Sequence, residues 1–182
     1  MIRKTFITST SILFLAMSLF SCSNTTPKNY QNNDPKLDIR TYLNGKIKAW
    51  GMLEDRKGRV TRRFIVEMEG KWKGNVGVLE EYFTFDDGEK SKRIWTIKFS
   101  DDHNFEASAA DVVGKAKGSQ HGNAMQMQYV LDLEVDKEKG TRYNVALDDW
   151  MYLLEDDILV NKSEIKKFGI TFGKLTIFFQ KQ

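Results

Sequence analysis

The sequence predicts a mainly β protein whose antiparallel strands close into a barrel of about eight to ten strands, and three observations carry that expectation. From Leu37 onward, apolar residues alternate with polar ones and do not recur at helical spacing. Turn signals such as Asp55-Arg56-Lys57-Gly58 and Asp86-Asp87-Gly88-Glu89 separate the alternating runs. No long helix-period stretch is available to cover the edges of an open sheet, so closure is the economical way to pair them. A two-sheet sandwich would show the same alternation and is the alternative.

In chain order, a short lead-in over Leu37 to Leu43 precedes a strand from Lys46 to Leu53, with Ile47, Ala49, Gly51 and Leu53 on one face. Arg59 to Glu69 puts Val60, Phe64, Val66 and Met68 together, and Val76 to Phe85 does the same for Leu79, Phe83 and Phe85. After the hairpin at Asp86 to Glu89 the next strand presents Trp95, Ile97 and Phe99, and Asp101-Asp102-His103-Asn104 turns the chain. Phe105 to Gly122 is rich in Ala and Gly, which permits bulges, bends and close backbone approach. Ala124 to Val135 restores the alternation, with Met125, Met127, Tyr129, Leu131 and Leu133 facing one way. Asp136 to Gly140 turns into Thr141 to Leu154, and Asp156-Asp157 turns into Ile158 to Asn161. Ser163 to Lys167 reads as one helical turn, and Phe168 to Gln180 as the closing strand, for about nine strands in all. Such a barrel is lipocalin- or calycin-like, and such barrels commonly enclose one apolar ligand.

The N-terminus carries an address. Arg3 and Lys4 precede an apolar run from Ile7 to Phe20 that ends in the small residue Ser21, the layout of a signal peptide over residues 1–21. The run is short and broken by Thr8, Ser9, Thr10, Ser11 and Ser18, which argues against a permanent spanning helix. Leu19-Phe20-Ser21-Cys22 resembles the bacterial lipobox, with Phe20 in place of the usual small or aliphatic residue. That resemblance implies acylation of Cys22 with palmitate-type chains and attachment to a membrane. Ser23 after the cysteine implies the periplasmic face of the outer membrane. Cleavage elsewhere would leave a soluble secreted protein with a free thiol. Ser23 to Lys36 is polar, holds both prolines and reads as a flexible tether, so that residues 22–36 link the lipid to a single domain over 37–182.

Cys22 is the only cysteine, so the fold rests on its core without a disulfide. The chain has 28 basic and 25 acidic residues, and Arg3 and Lys4 leave with the signal, a near balance that argues against nucleic acid as a partner. Protein partners cannot be named from the sequence. No Gly-x-Ser-x-Gly elbow occurs, and Gly169 to Thr176 fails as a phosphate loop because its glycines are too close and Leu175 takes the Ser/Thr place. His103 and His121 fall in turns without metal-ligand spacing, and Asp86-Asp87-Gly88 lacks the alternation of a calcium loop, so neither metal nor cofactor is expected.

Charges on the apolar faces stand out. Arg62 falls in register with Val60, Phe64 and Val66, Glu81 with Leu79 and Phe83, Arg93 with Trp95 and Ile97, and Asp149 with Leu147 and Met151. Buried charges need partners, because desolvation is expensive. With Asp111 they could neutralise one another as an internal network. They could also form a site in which the arginines receive an anionic head group while Trp95, Phe64, Phe83, Met125 and Met127 line an apolar tunnel. Acid–base work by Asp111 or Asp149 is a third possibility, with no nucleophile or cofactor motif beside it.

Ala49-Trp50-Gly51, Asp55-Arg56-x-Gly58-Arg59-Val60, Arg62-Arg63-Phe64, Trp72-x-Gly74, Asp86-Asp87-Gly88-Glu89, Arg93-x-Trp95, Asp111-Val112-Val113-Gly114, Gly122-Asn123-Ala124, Asp148-Asp149-Trp150-Met151-Tyr152 and Lys167-Phe168-Gly169 together resemble a family of proteobacterial lipoproteins, the domain of unknown function numbered 3833. Gln128 stands where that resemblance leads one to expect Trp. The resemblance covers nearly all of the chain after Lys36 and supplies no activity. It implies a lipocalin-like architecture and, by association with fatty-acid and membrane-lipid modification, a lipid-related role. The expected function is that of an outer-membrane lipoprotein whose barrel binds or hands on a lipid or other amphipath. An enzyme or accessory factor of lipid modification and a structural envelope protein with a solid core are the alternatives.

Overall fold

In the computed structural model, which describes residues 25–136 and 139–182, ten antiparallel strands close on themselves. They are β1 (Gly45–Asp55), β2 (Val60–Lys73), β3 (Val76–Phe85), β4 (Lys90–Phe99), β5 (Asn104–Ser108), β6 (Val112–His121), β7 (Ala124–Asp136), β8 (Thr141–Glu155), β9 (Ile158–Lys167) and β10 (Ile170–Lys181). Each pairs with its sequence neighbours, and β1 pairs with β10 to complete the ring. The expected barrel is therefore present and the sandwich is excluded. The expected signal peptide over 1–21 and the expected acylation site Cys22 lie outside the described residues.

Alternation sets the two faces of the wall. Ile47 and Ala49 of β1, Phe64, Val66 and Met68 of β2, Trp95, Ile97 and Phe99 of β4, and Met125, Met127, Tyr129 and Leu131 of β7 are all buried. Burying an aliphatic or aromatic side chain contributes about 1.5 to 3 kcal/mol, so these rows dominate the stability. Between them the outward positions carry Lys48, Glu67, Glu80, Lys92, Glu106 and Lys117. The same outer face also exposes apolar residues such as Trp50, Ile65, Ile94 and Phe178.

Three glycines share the inner face with aromatic neighbours. Gly51 pairs with Phe64, Gly77 with Trp72 and Gly118 with Phe105, and in each case the ring lies where a Cβ would stand. This is how the Ala- and Gly-rich region folds. It forms two strands, β5 and β6, with a register shift between Val113 and Lys117 at Gly114, whose φ is +73°. That extra strand raises the count from about nine to ten.

One end of the barrel is plugged by α1 (Ile39–Tyr42), a single helical turn capped by Asp38, whose side chain accepts from the Arg40 N–H. Leu37, Ile39, Tyr42 and Leu43 are buried there. The Ile39 N–H donates to Gln120 Oε1, Lys181 Nζ donates to the carbonyls of Thr41, Tyr42 and Asn44, and the Tyr42 hydroxyl donates to the Asp157 and Phe179 carbonyls. Tyr42→Phe is expected to cost about 1 to 2 kcal/mol in urea unfolding, because the buried Phe179 carbonyl and the half-buried Asp157 carbonyl lose a donor. No element crosses the other end of the barrel among the described residues.

Three expectations are corrected. Ser163 to Lys167 is strand, not a helical turn, because β9 runs unbroken between β8 and β10 and turns Asn161, Ser163 and Ile165 inward. Val60 leaves the inner face. A bulge lies opposite Leu53 and Glu54, where Arg62 pairs with Leu53 and Val60 with Glu54, so Val60 points out and is half exposed. From Pro27 on, the segment expected as part of a flexible tether is ordered, since Pro27–Tyr30 forms a 3-10 turn with Pro27 buried. The Tyr30 ring packs on Trp150 and Tyr152 with centroids 5.9 and 5.5 Å away, and its carbonyl lies close over Gly122. Prolines and side-chain-capped turns hold this polar segment against the plugged end of the wall.

Phe168 departs from turn chemistry. Between the paired residues Lys167 and Ile170, Phe168 and Gly169 both have positive φ, +52° and +77°. That is the two-residue turn that favours Asn-Gly, yet Phe168 is 91 % exposed there. Phe168→Asn is expected to raise stability by about 0.5 to 1 kcal/mol, read as a higher midpoint in thermal unfolding.

Candidate functional site

The inner wall encloses a cavity of about 370 Å³ that runs from Leu43 at the plug to Phe85 and Leu133 near the uncovered end. Its walls include Phe64, Phe83, Trp95, Met127, Leu147 and Leu175. Leu53, Phe83, Phe85, Leu133, Met151, Leu175 and Ile177 point inward yet are only partly buried. Their exposed surface faces the lumen, so apolar side chains do not fill the barrel. Phe64, Phe83 and Phe85 form one aromatic wall with centroid separations of 5.6 to 6.0 Å.

Polar groups sit partway down this apolar channel. On β3, Glu81 lies between Leu79 and Phe83, and on β8, Asp149 lies between Leu147 and Met151. They are 9 % and 6 % exposed. The Tyr129 hydroxyl donates to Asp149 Oδ2 at 3.0 Å, and the Ser163 hydroxyl donates to Oδ1 from the adjoining strand. The Trp95 ring meets Tyr129 edge-on at 5.5 Å. Glu81 pairs across the sheet with Arg93, but the guanidinium hydrogen-bonds elsewhere, donating from Nε and Nη2 to Asp111 Oδ2 at 3.0 and 2.6 Å. Asp111 Oδ1 is buried with no hydrogen-bond partner.

Burial pushes the Glu81 carboxyl up to about 7, against the Arg93 charge and the Trp95 indole, which favour ionisation. Burial likewise pushes Asp149 up to about 7, against the Tyr129 hydrogen bond and Arg93, with Asp148 and Glu81 adding repulsion. The Tyr129 hydroxyl is raised well above its ordinary range by burial and then by Asp149. Two carboxyls are thus poised near neutrality inside one cavity.

The two arginines do not converge. Arg62 lies at the uncovered end, donating from Nη2 to Asp87 Oδ2 at 2.8 Å and Glu89 Oε2 at 2.5 Å, with its guanidinium carbon 3.6 Å from the Phe85 ring centre. Arg93 lies deeper, level with Glu81 and Met68. Each guanidinium donates to carboxylates, Arg62 to Asp87 and Glu89 and Arg93 to Asp111. Nine of the expected residues, Arg62, Phe64, Glu81, Phe83, Arg93, Trp95, Asp111, Met127 and Asp149, line the cavity. Met125 does not; it is buried in the core and pairs with Gln120 and Met151 near the plugged end.

Tyr129 and Ser163 were not singled out as site residues. Tyr129 carried a signal in the alternation of β7, whereas Ser163 was hidden by the helical reading of its segment. His103 and His121, placed in separate turns by the sequence, stack at 4.0 Å between ring centres beside the plugged end, with His121 now at the end of β6. Burial and then the His103 charge lower the His121 pKa.

Comparison with known proteins agrees with this architecture. Residues 16–181 match the family described as "Protein of unknown function (DUF3833)". No curated protein matches the sequence. Among solved structures, the S-type phycobiliprotein lyase CPES from Guillardia theta is similar, with a TM-score of 0.55 and 6% identity over 87% of this chain and 99% of that one. A likeness at such low identity carries the barrel fold alone.

Proposed function

The chain belongs to the DUF3833 family of proteins of unknown function, and on that premise we propose that it is a binding protein whose lumen takes up a lipid or other amphipathic molecule. One observation carries this reading: inward apolar side chains line a cavity of about 370 Å³ and keep part of their surface exposed to it. That volume falls in the usual range for small-molecule sites, and a barrel with a solid core would leave no such surface. Charges on the outer wall fit a water-borne barrel held at a membrane from outside.

The anchor in this proposal is acylated Cys22 at the periplasmic face of the outer membrane. Because Pro27 is already packed at the plugged end, the link from Cys22 spans at most about 15 to 20 Å. The plugged end then stays near the lipid surface and the uncovered end points away from it. Native mass spectrometry with lipid extraction, on the mature chain purified from its own cells, tests the reading. Copurifying lipid near one-to-one supports a carrier. A repeatedly empty protein that added amphipaths fail to stabilise overturns it.

Two carboxyls poised near 7 in one cavity favour a second reading, acid–base catalysis in lipid modification. In that case Asp149→Asn is expected to abolish turnover of a lipid substrate while leaving its binding intact. The lyase name of the structural neighbour adds nothing to this reading, since 6% identity does not transmit chemistry.

A further inference from the structure

We propose that the lumen selects amphipaths whose polar end is a cation, an alkylammonium in chemical class, seated between Glu81 and Asp149 with its apolar chain lying along Phe64, Phe83 and Phe85 toward the uncovered end. This rests on reading the lumen as the ligand site and adds the charge of the ligand to it.

The charge inventory of the cavity supports a cation. The charged and titratable groups lining it are Arg62 from β2, Glu81 from β3, Lys92 and Arg93 from β4, Asp111 just before β6, Tyr129 from β7 and Asp149 from β8; Arg62 is held by Asp87 and Glu89 at the uncovered end, and Lys92 by Glu80. Asp148 acts on Asp149 from the outer face of β8. At this depth Arg93, hydrogen-bonded to Asp111 and also attracting Glu81, is one positive charge among three carboxyls, Glu81, Asp111 and Asp149. Glu81 is nine-tenths buried, lines the cavity and forms no ion pair of its own. An anionic head group would add a further negative charge to this enclosure, at a cost that low dielectric magnifies. An alkylammonium instead supplies the counter-charge. Trp95 and Tyr129 add aromatic surface that attracts cations. Ligand-bound carboxylates give up their protons, so affinity for a permanent cation rises with pH through neutrality.

The test uses the mature chain carrying Cys22→Ala, so that its own acyl groups do not compete, and matched twelve-carbon probes below their micelle-forming concentrations. Dodecyltrimethylammonium, dodecanol and dodecanoate are titrated at pH 5.5 and pH 8 by calorimetry. Dodecyltrimethylammonium is expected to bind at least tenfold tighter than dodecanoate at pH 8, with a smaller margin at pH 5.5. Glu81→Gln and Asp149→Asn are each expected to reduce that margin about tenfold while leaving dodecanol affinity within twofold. Equal affinities, or a preference for dodecanoate, overturn the charge assignment and leave the lumen reading standing. Failure of all three probes to bind overturns both. Should either variant fail to fold by circular dichroism, the other variant and the pH series on the parent chain still decide.

Discussion

Gly70→Ala is expected to destabilise the barrel by about 3 kcal/mol or more. Gly70 closes the inner row of β2 beneath the plug, and a Cβ there would stand 1.6 Å from the Leu43 carbonyl oxygen and 2.9 Å from its carbon. Those are backbone atoms, which cannot swing aside as a flexible side chain can. Leu43 is the C-cap of α1 and is itself held by a hydrogen bond to the Ile39 carbonyl. Relief requires lifting the whole helical turn, with loss of the buried Ile39, Tyr42 and Leu43 contacts and of the hydrogen bonds from Lys181 and Tyr42. Urea unfolding of the parent and variant would show a fall in midpoint with little change in slope. Gly58→Ala is the control, since Gly58 has φ +76° and open space around its missing Cβ. It is expected to cost about 1 kcal/mol through backbone conformation alone. Equal losses at the two positions would show that the plug does not rest on Gly70.

Stability is expected to fall as pH rises from about 4.5 to about 7.5, opposite to the trend of a protein whose carboxylates are all ion-paired. Glu81 and Asp149 each hold a proton up to about 7 in the folded chain, whereas in the unfolded chain they release it near 4.5 and 3.8. Over that interval the native state binds more protons than the unfolded state, so the free energy of unfolding decreases with pH. At about 1.4 kcal/mol per pH unit, the upper bound is about 3 to 4 kcal/mol for Glu81 and about 4 to 5 kcal/mol for Asp149, and their mutual repulsion makes the two effects non-additive.

At the acid end the trend reverses. Asp101 is held down to about 2, first by the Asn104 side chain and then by backbone N–H groups, and its contribution is lost as pH falls below its unfolded value. The stability maximum is therefore expected near pH 5. Denaturant titrations between pH 4 and pH 8 check this. Asp149→Asn keeps an acceptor for Tyr129 and removes the ionisation, so it should flatten the slope and stabilise the chain at pH 8. Parallel profiles for parent and variant would show that Asp149 ionises no differently in the folded and unfolded states.

Much of the architecture was legible because a strand buried on one face writes its orientation into every second residue. The rows on β1, β4 and β7 were read with the correct inward face, and Glu81, Arg93 and Asp149 were placed inside by the same rule. The rule fails where the period slips. One unpaired residue in β2 turned Val60 outward, and nothing in its local sequence distinguishes that bulge from a regular strand. It fails again where local preference and ladder disagree. Ser163 to Lys167 has a helix-compatible composition, but two flanking strands supply every backbone partner that β9 needs. The polar run before Lys36 looked unable to pack because it lacks an apolar period. Tyr30, laid over Trp150 and Tyr152, and the buried Pro27 supply its anchoring contacts.

By itself the sequence determined the β class, the family and the presence of charge on the inner wall, because composition and alternation are properties of neighbouring residues, whereas closure, which alternation does not distinguish from a sandwich, was decided by the pairing of β1 with β10. Which charges meet was decided only by the tertiary structure. Arg62 and Arg93 look alike along their strands, yet the hairpin at Asp87 and Glu89 takes up one and Asp111 takes up the other. Asp149 finds Tyr129 and Ser163 on the strands to either side. Such pairings depend on register and shear across strands distant in sequence, and on the low dielectric of an enclosed lumen, which holds Glu81 and Asp149 near neutrality.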